Sequence, residues 1–353
     1  MFEVLAIDIG STTTRVGFHR KDSMVIRETI PRPSGEYKGL EQELVIREKD
    51  LSDFIERSGI KVYGMDLIVS RGGLGKPCPS GVYRINKAMR EDLMTGKYGE
   101  HVSAIGPAIA LEMARIYGKE AVVVDPPSTD EFHELARLSG IPEITRKSAF
   151  HALNQKAMAR KACRELGKDY SNAGLIVAHM GGGITVGAHC NGRVIDATHG
   201  LSEGPFTPER SGSLPTMDLM DLVWVKGWTP QLFRATLVRK GGLKAYLGTD
   251  DAREVEERIR NADAYARLVF EAMAYQVSKE IASMAAVLSG KVDAVVLTGG
   301  LAHSEMLISW IRERVSYIGQ VLVFPGEDEI AALLEGGIMA LSGAEPILEY
   351  PHG

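Results

Sequence analysis

Asp8 sits within an apolar run, Leu5-Ala-Ile-Asp-Ile9, that leads directly into Gly10-Ser-Thr-Thr-Thr14. A carboxylate beside a tight, hydroxyl-rich turn is an arrangement for an anion. Backbone N–H groups around Gly10, with the hydroxyls from Ser11 and Thr12 to Thr14, can receive phosphate oxygens, and Asp8 can hold a metal that the same anion shares. A second stretch, Ala178-His-Met-Gly-Gly-Gly-Ile184, repeats the design. Gly181, Gly182 and Gly183 lack side chains, so phosphate oxygens can approach the backbone. His179 ends the strand before them and directs its imidazole to where a terminal phosphate would lie. A third stretch, Val292 to Leu301, ends in Gly299-Gly300, which suits the face of a base or sugar. Isolated charges complete the set: Arg71 before Gly72-Gly73, Asp125 before two prolines, and Arg210 between Glu209 and Ser211 in a loop bounded by proline and glycine.

These groups imply elements that hold them. Residues up to Phe18 read as a β-hairpin around Gly10. Residues 174–198 read as two hairpins, the second turning at Asn191-Gly192. Two phosphate loops of hairpin type, with a late strand–Gly-Gly–helix element, predict a duplicated fold with nucleotide in the cleft between its halves. Helical spacing appears at Glu48–Arg57, Ser103–Tyr117, Ala149–Leu166, Asp263–Leu288, Glu305–Arg314 and Glu329–Ser342. Arg71 falls at the C-terminal end of the strand Met65–Ser70, where α/β ligand sites lie. The pattern predicts two domains, residues 1–148 plus about 330–353 and residues 149–329, with the last helix returning to the first.

Composition narrows the class. The 353 residues carry 41 Lys plus Arg against 46 Asp plus Glu, a net charge of -5 that gives no reason to expect nucleic acid. No apolar run approaches a membrane span and no signal peptide is expected. Cys78, Cys163 and Cys190 are far apart, which argues against a disulfide framework or a structural zinc site and for a reducing cytoplasm.

Longer motifs carry a family resemblance. Arg71-Gly-Gly-Leu-Gly-Lys-Pro77, Lys147-Ser-Ala-Phe-His-Ala-Leu-Asn-Gln-Lys156, Ala178–Ile184, Glu203-Gly-Pro-Phe-Thr-Pro-Glu-Arg-Ser-Gly212, Glu271–Val277 and Phe324-Pro-Gly-Glu-Asp-Glu329 span most of the chain. Together they resemble the butyrate kinases, within the acetate kinase family of the actin-like ATPase superfamily. The resemblance implies an α/β fold, the duplicated actin-like (ribonuclease H-like) ATPase fold, and a reversible, metal-dependent phosphorylation of butyrate by ATP to give butyryl phosphate and ADP. It implies Mg2+ as the metal, with Asp8 and Glu329 as ligands. Glu327 and Asp328 stand close enough in sequence to compete for that second role. It implies a homo-oligomer, at least a dimer, without nucleic acid or membrane as partner. Two departures stand out: Asp8-Ile-Gly10 replaces the more usual Asn-Pro-Gly, and Ile68 occupies a position that is arginine in the acetate enzymes, so Arg71 is expected to take over its task.

A carboxylate is an adequate nucleophile near neutral pH, so such chemistry needs charge stabilisation more than a base. By resemblance Arg210 contacts both carboxylate and transferring phosphoryl, Arg71 binds the substrate carboxylate, and His151 joins His179 as a catalytic group. Asp125 is expected to orient Arg210 or contact metal. Ser70, Ala104, Phe150 and Pro205 are placed around the acyl tail. His101, His189 and His199 are expected to be structural. Two alternatives share the pattern, namely an actin-like ATPase without an acyl acceptor, and a sugar or polyol kinase in which Asp125 is the base.

Overall fold

The computed structural model describes residues 2–22, 24–32 and 39–351, and these divide into two compact units. The first comprises residues 1–130, 152–154 and 328–353, the second residues 131–151 and 155–327. The chain opens with β1 (Val4–Ile9), β2 (Thr13–His19), β3 (Val25–Pro31), α1 (Leu40–Arg57), β4 (Leu67–Ser70), β5 (Val82–Arg84), α2 (Lys87–Met94), α3 (Ile105–Tyr117) and β6 (Glu120–Val124). It continues through α4 (Glu134–Arg137), α5 (Ala152–Leu166), β7 (Gly174–Met180), β8 (Ile184–Cys190), β9 (Arg193–Ala197), α6 (Thr216–Lys226) and α7 (Pro230–Arg239). Next come α8 (Gly242–Leu247), α9 (Ala252–Arg260), α10 (Ala264–Val287), β10 (Ala294–Gly299), α11 (Glu305–Val315), β11 (Gln320–Pro325), α12 (Glu329–Leu341) and β12 (Ile347–Glu349).

The first unit is built on a seven-stranded mixed sheet in the order β12-β5-β6-β4-β1-β2-β3. All six residues of β1 are buried, as expected of an apolar run at the centre of a sheet covered on both faces. Helices α1 and α3 cover one face, and α12 covers β1, β2 and β4 on the other. The return of α12 depends on glycine. A Cβ on Gly336 would lie 2.5 Å from Val124 Cγ1, and one on Gly337 2.6 Å from Val69 Cγ2. Asp328 caps this helix, accepting from Ala331 N at 2.8 Å.

The second unit has a five-stranded sheet, β11-β10-β7-β8-β9. Helices α10 and α11 pack on one face around Met273, Val277 and Ile311, and α5 contributes Ala159, Ala162 and Cys163 to the other. Asn191 and Gly192 both have positive φ, 50° and 79°, which is the backbone a two-residue hairpin turn requires. Helix α1 begins eight residues before the periodic stretch expected from sequence, and the short strands β5 and β12 pair with each other.

Candidate functional site

In the first unit, β1 and β2 form the expected hairpin, with Asp8 opposite Arg15. Gly10 N donates to Thr13 O at 2.8 Å, so its amide closes the turn and the donor role passes to Ser11 and Thr12, both exposed at the tip. Thr14 corrects the expectation of four outward hydroxyls. It is buried, and its Oγ1 accepts from Arg47 Nη1. Arg47 of α1 is fully buried; it also donates to Gly10 O at 3.2 Å and pairs with Glu43 at 3.1 Å. The loop is therefore braced from below by a helix 33 residues further along the chain.

Above that turn, two carboxylates and two arginines converge. Asp8 is buried within β1 and Glu329 is buried at the start of α12. Arg15 Nη1 lies 3.3 Å from Asp8 Oδ2 and reaches Glu329 Oε2 as well. Arg71 Nη1 lies 3.3 Å from Asp8 Oδ1 and 4.0 Å from Glu329 Oε1. Both acidic residues singled out as metal ligands thus meet at one point, with Arg15 touching each. The neighbouring acids go elsewhere: Asp328 is an exposed cap paired with Arg27, and Glu327 pairs with His179. Two hard carboxylate oxygens suit Mg2+, which takes one or two protein carboxylates and completes its shell with water and phosphate. No group of three or more His, Cys, Asp or Glu able to hold a metal occurs among the described residues.

Asp125 follows β6 in a left-handed conformation, φ 40°, which is strained for a residue with a Cβ. Its Oδ1 accepts from Gly81 N at 3.0 Å. Ser70 and Ala104 are buried in the same unit. A Cβ on Gly106 would lie 2.5 Å from Ser70 Oγ, and one on Gly73 would lie 3.1 Å from Ala104 Cα. Ser70 Oγ has no hydrogen-bond partner among the described residues. Phe150 and Pro205 are buried in the second unit. Of the histidines expected to be structural, His101 accepts from Ser103 N through Nδ1 at 3.2 Å, and burial lowers the pKa of His199.

The second unit gathers the remaining groups. His179 is buried at the end of β7, its ring stacked on that of His151 at 3.9 Å and 18°. His179 Nε2 stands 3.1 Å from Glu327 Oε1. In the glycine turn, Gly181 N donates to Gly183 O at 2.9 Å, so here too the first glycine's amide is spent within the loop. Gly182 is exposed and Gly183 is buried. A Cβ on Gly183 would lie 2.8 Å from Arg210 Cζ, so the absence of a side chain there makes room for the guanidinium. Arg210 is fastened by Nη1 to Gly200 O, and its backbone N donates to Thr207 Oγ1 at 3.0 Å. Thr207 in turn donates to Gly182 O at 2.7 Å, tying the arginine loop to the glycine turn. Arg210 Nε is buried without a partner among the described residues. Burial pulls the guanidinium below its usual pKa, opposed by the nearby Glu209 carboxylate. A partly buried cation with an unused donor has the chemistry to receive an anion.

A cavity of about 1020 Å³ lies in the same unit, lined by Gly181, Gly182, Glu209, Gly300, His303 and Glu327, with the Asp250–Arg253 stretch and Glu256 on its wall. The two glycine turns that sequence singled out therefore face one space. Gly299 behaves differently from Gly300. Its φ is 91°, and a Cβ there would collide with Met180 O, whereas nothing lies within 4 Å of a Cβ on Gly300. Gly299 is glycine for strand packing, and Gly300 leaves room in the cavity. The Asp250–Glu256 stretch and His303 carry no local signal that could have flagged them. Arg15 had one, since a turn between Gly10 and Thr13 sets Asp8 opposite Arg15.

Two α/β units with a tight hairpin turn in each, the second turn facing a cavity of about 1020 Å³, are the frame of a phosphotransferase with the duplicated actin-like (ribonuclease H-like) fold. The chain belongs to the acetokinase family, which residues 137–322 match. It is 42% identical over 353 residues to Butyrate kinase 2 of Clostridium acetobutylicum, covering 99% of each chain. Among solved structures it is similar to the acetate kinase of Porphyromonas gingivalis, with a TM-score of 0.80 at 19% identity over 97% of this chain and 100% of that one. A propionate kinase from Francisella tularensis has a TM-score of 0.76 at 20% identity, over 95% and 99% of the respective chains. At these identities the two structures speak to the fold alone.

Proposed function

We propose that this protein phosphorylates a short-chain fatty acid, transferring the γ-phosphoryl group of ATP to butyrate and giving butyryl phosphate and ADP in a reversible reaction. The observation that carries the reading is Arg210, a half-buried guanidinium with a buried, unused Nε, held over the glycine turn at Gly183. The Clostridium relative's similarity over nearly the whole chain supports butyrate as the acceptor. Neither an acceptor-free ATPase nor a polyol kinase is favoured by that relative, and the backbone bond from Gly81 to Asp125 gives the polyol reading's base no support.

In this reading the butyrate carboxylate attacks the γ-phosphorus in line, the bond to the β,γ-bridging oxygen breaks, and its electron pair leaves with ADP. No base is needed, because the acceptor is already ionised. Arg210 and Arg71 neutralise the two converging anions, and His179 and His151 border the path as hydrogen-bonding groups. Ser11, Thr12, Gly182 and Gly183 serve the phosphates, and the second-unit cavity takes the nucleoside. Asp8 and Glu329 are the residues to hold Mg2+, which when bound would neutralise phosphate charge. Asp125 remains the candidate to orient Arg210 or contact metal, and its bond from Gly81 N supports a fixed position for it where β6 ends and β5 begins. Domains are assigned as residues 1–148 plus about 330–353, with Arg71, Ser70, Ala104 and the first phosphate loop, and residues 149–329, with Phe150, Pro205, the second phosphate loop and the nucleoside.

Hydroxamate trapping of the acyl phosphate, comparing butyrate, acetate, a polyol and no acceptor, tests the function. Butyrate is expected to exceed acetate by about tenfold in kcat/KM, because two buried methylenes contribute about 0.8 kcal/mol each. Ala104→Leu should narrow that ratio. Turnover without an acceptor, or with polyols only, overturns the function; an unchanged ratio in the variant overturns the acyl-pocket assignment of Ser70, Ala104, Phe150 and Pro205.

We also place the protein as a homo-oligomer in the cytoplasm. Helices α6 and α7 bury none of their own residues, and Met217, Trp224 and Val225 are exposed by 67%, 87% and 81%. Asp218 and Asp221 on α6 and Arg234 and Arg239 on α7 supply charges of both signs, which a self-complementary two-fold contact can pair. Light scattering should show at least a dimer. Trp224→Asp is expected to weaken association by at least about tenfold, since buried tryptophans dominate such interfaces. A wild type that is monomeric at micromolar concentration overturns the assignment. The cysteines are all free, in keeping with a reducing compartment, and no helix among the described residues is long and apolar enough to cross a membrane.

A further inference from the structure

His151 is the outer end of a chain of buried polar side chains inside the second unit. Its Nδ1 lies 2.9 Å from Thr185 Oγ1. Gln155 Nε2 donates to Thr185 Oγ1 at 2.9 Å and to Thr185 O at 3.1 Å. Gln155 Oε1 lies 3.0 Å from His189 Nε2, and His189 Nδ1 lies 2.8 Å from Tyr170 Oη. Gln155, Thr185 and His189 have no exposed surface. Gly187 on β8 leaves the room that Gln155 occupies, because a Cβ there would collide with Gln155 Oε1.

The donors and acceptors of these side chains fix the direction of each proton. Thr185 O is a carbonyl and can only accept, so the Gln155 atom facing it is the amide nitrogen. The other Gln155 atom is then the oxygen, and His189 Nε2 must donate to it. His189 is neutral: burial, with the charges of Lys156 and Arg160 nearby, lowers its pKa well below the usual histidine range. Its Nδ1 is therefore bare and accepts from the Tyr170 hydroxyl. At the other end, Thr185 Oγ1 accepts from Gln155 Nε2 and, at 3.5 Å, from the His151 backbone N, which occupies both of its lone pairs, so its own proton goes to His151 Nδ1.

We propose that Tyr170, His189, Gln155 and Thr185 form a one-way hydrogen-bond chain that holds His151 as the neutral tautomer with its proton on Nε2. His151 is then a fixed hydrogen-bond donor toward a phosphoryl or carboxylate oxygen, and it does not exchange protons during transfer. The stacked partner ring is compatible with this, since two imidazoles at 3.9 Å repel if both are cationic, so that at most one of the two carries a charge. His179 Nε2 faces the Glu327 carboxylate, an acceptor, and so also carries its proton on that nitrogen. Gln155, Thr185 and His189 are positioning residues that act through His151. The inference rests on His151 serving the phosphoryl transfer proposed above.

Selective 15N-histidine labelling of the substrate-free protein, read through long-range 1H–15N correlations at neutral pH, tests it. His151 Nδ1 is expected to resonate as an unprotonated nitrogen and Nε2 as a protonated one. Thr185→Val should lose that pattern and lower kcat by about tenfold, the scale of one lost hydrogen bond to a reacting group, while KM for ATP moves less than about twofold. Thr185→Ser should restore both. A wild-type spectrum with the proton on Nδ1 overturns the proposal, as does a folded Thr185→Val variant with wild-type signals and turnover. If that variant does not fold, the wild-type spectrum decides alone. Absence of butyrate-dependent turnover would instead remove the functional reading, and the spectrum would still decide the polarity of the chain.

Discussion

Replacing Arg210 by lysine is expected to lower kcat by about two orders of magnitude while leaving circular dichroism unchanged, by analogy with arginines that stabilise phosphoryl transfer elsewhere. The geometry says why lysine fails. Arg210 uses Nη1 on Gly200 O to fix its orientation and keeps Nε for the site. A lysine has one nitrogen and must abandon either the anchor or the ligand. Burial adds to the loss, because it disfavours the charged form and an ammonium gives up its proton more readily than a guanidinium. The fold should survive, since the Thr207 bonds to this loop come from Arg210's backbone. Steady-state kinetics with butyrate and ATP provide the check. A fall of less than about threefold in a folded variant overturns the assignment.

Replacing Arg15 by methionine is expected to destabilise the protein by about 3 kcal/mol in denaturant melts, with millimolar Mg2+ restoring a good part of it. Arg15 joins Asp8 to Glu329, whose side chains are only 2% and 7% exposed. Removing the guanidinium leaves two buried carboxylates facing one another, with Arg71 at 3.3 and 4.0 Å in partial compensation. A divalent cation bound by both oxygens supplies the missing charge, so Mg2+ should stabilise the variant more than the wild type. Asp8→Asn in the same background should abolish the excess stabilisation. Equal stability of variant and wild type, or an Mg2+ response that survives Asp8→Asn, overturns Asp8 and Glu329 as the metal pair.

What local sequence determined here is the set of turns and the strand ends that feed them. A strand that alternates or runs apolar and then meets glycine must turn within a few residues, so the Gly10, Gly181–Gly183 and Asn191-Gly192 turns follow from neighbours alone. The same holds for α10 and α12, whose apolar spacing and capping aspartates, Asp263 and Asp328, are local features. The tertiary structure decided which of those atoms are available. Arg47, brought from α1, turns Thr14 inward, and the first glycine amide of each loop is consumed in closing it. The return of α12 sets Glu329 beside Asp8 and Arg15, and so separates it from Glu327 and Asp328, which sequence could not do. Only Glu329 has entered the helix, whereas Asp328 is its non-helical cap and Glu327 precedes the cap, so three adjacent acids reach three different places. The cavity wall from Asp250 to Glu256 and the chain from Tyr170 to His151 likewise join residues distant in sequence. Such pairings depend on which strands and helices pack together, and no short window of residues contains that information.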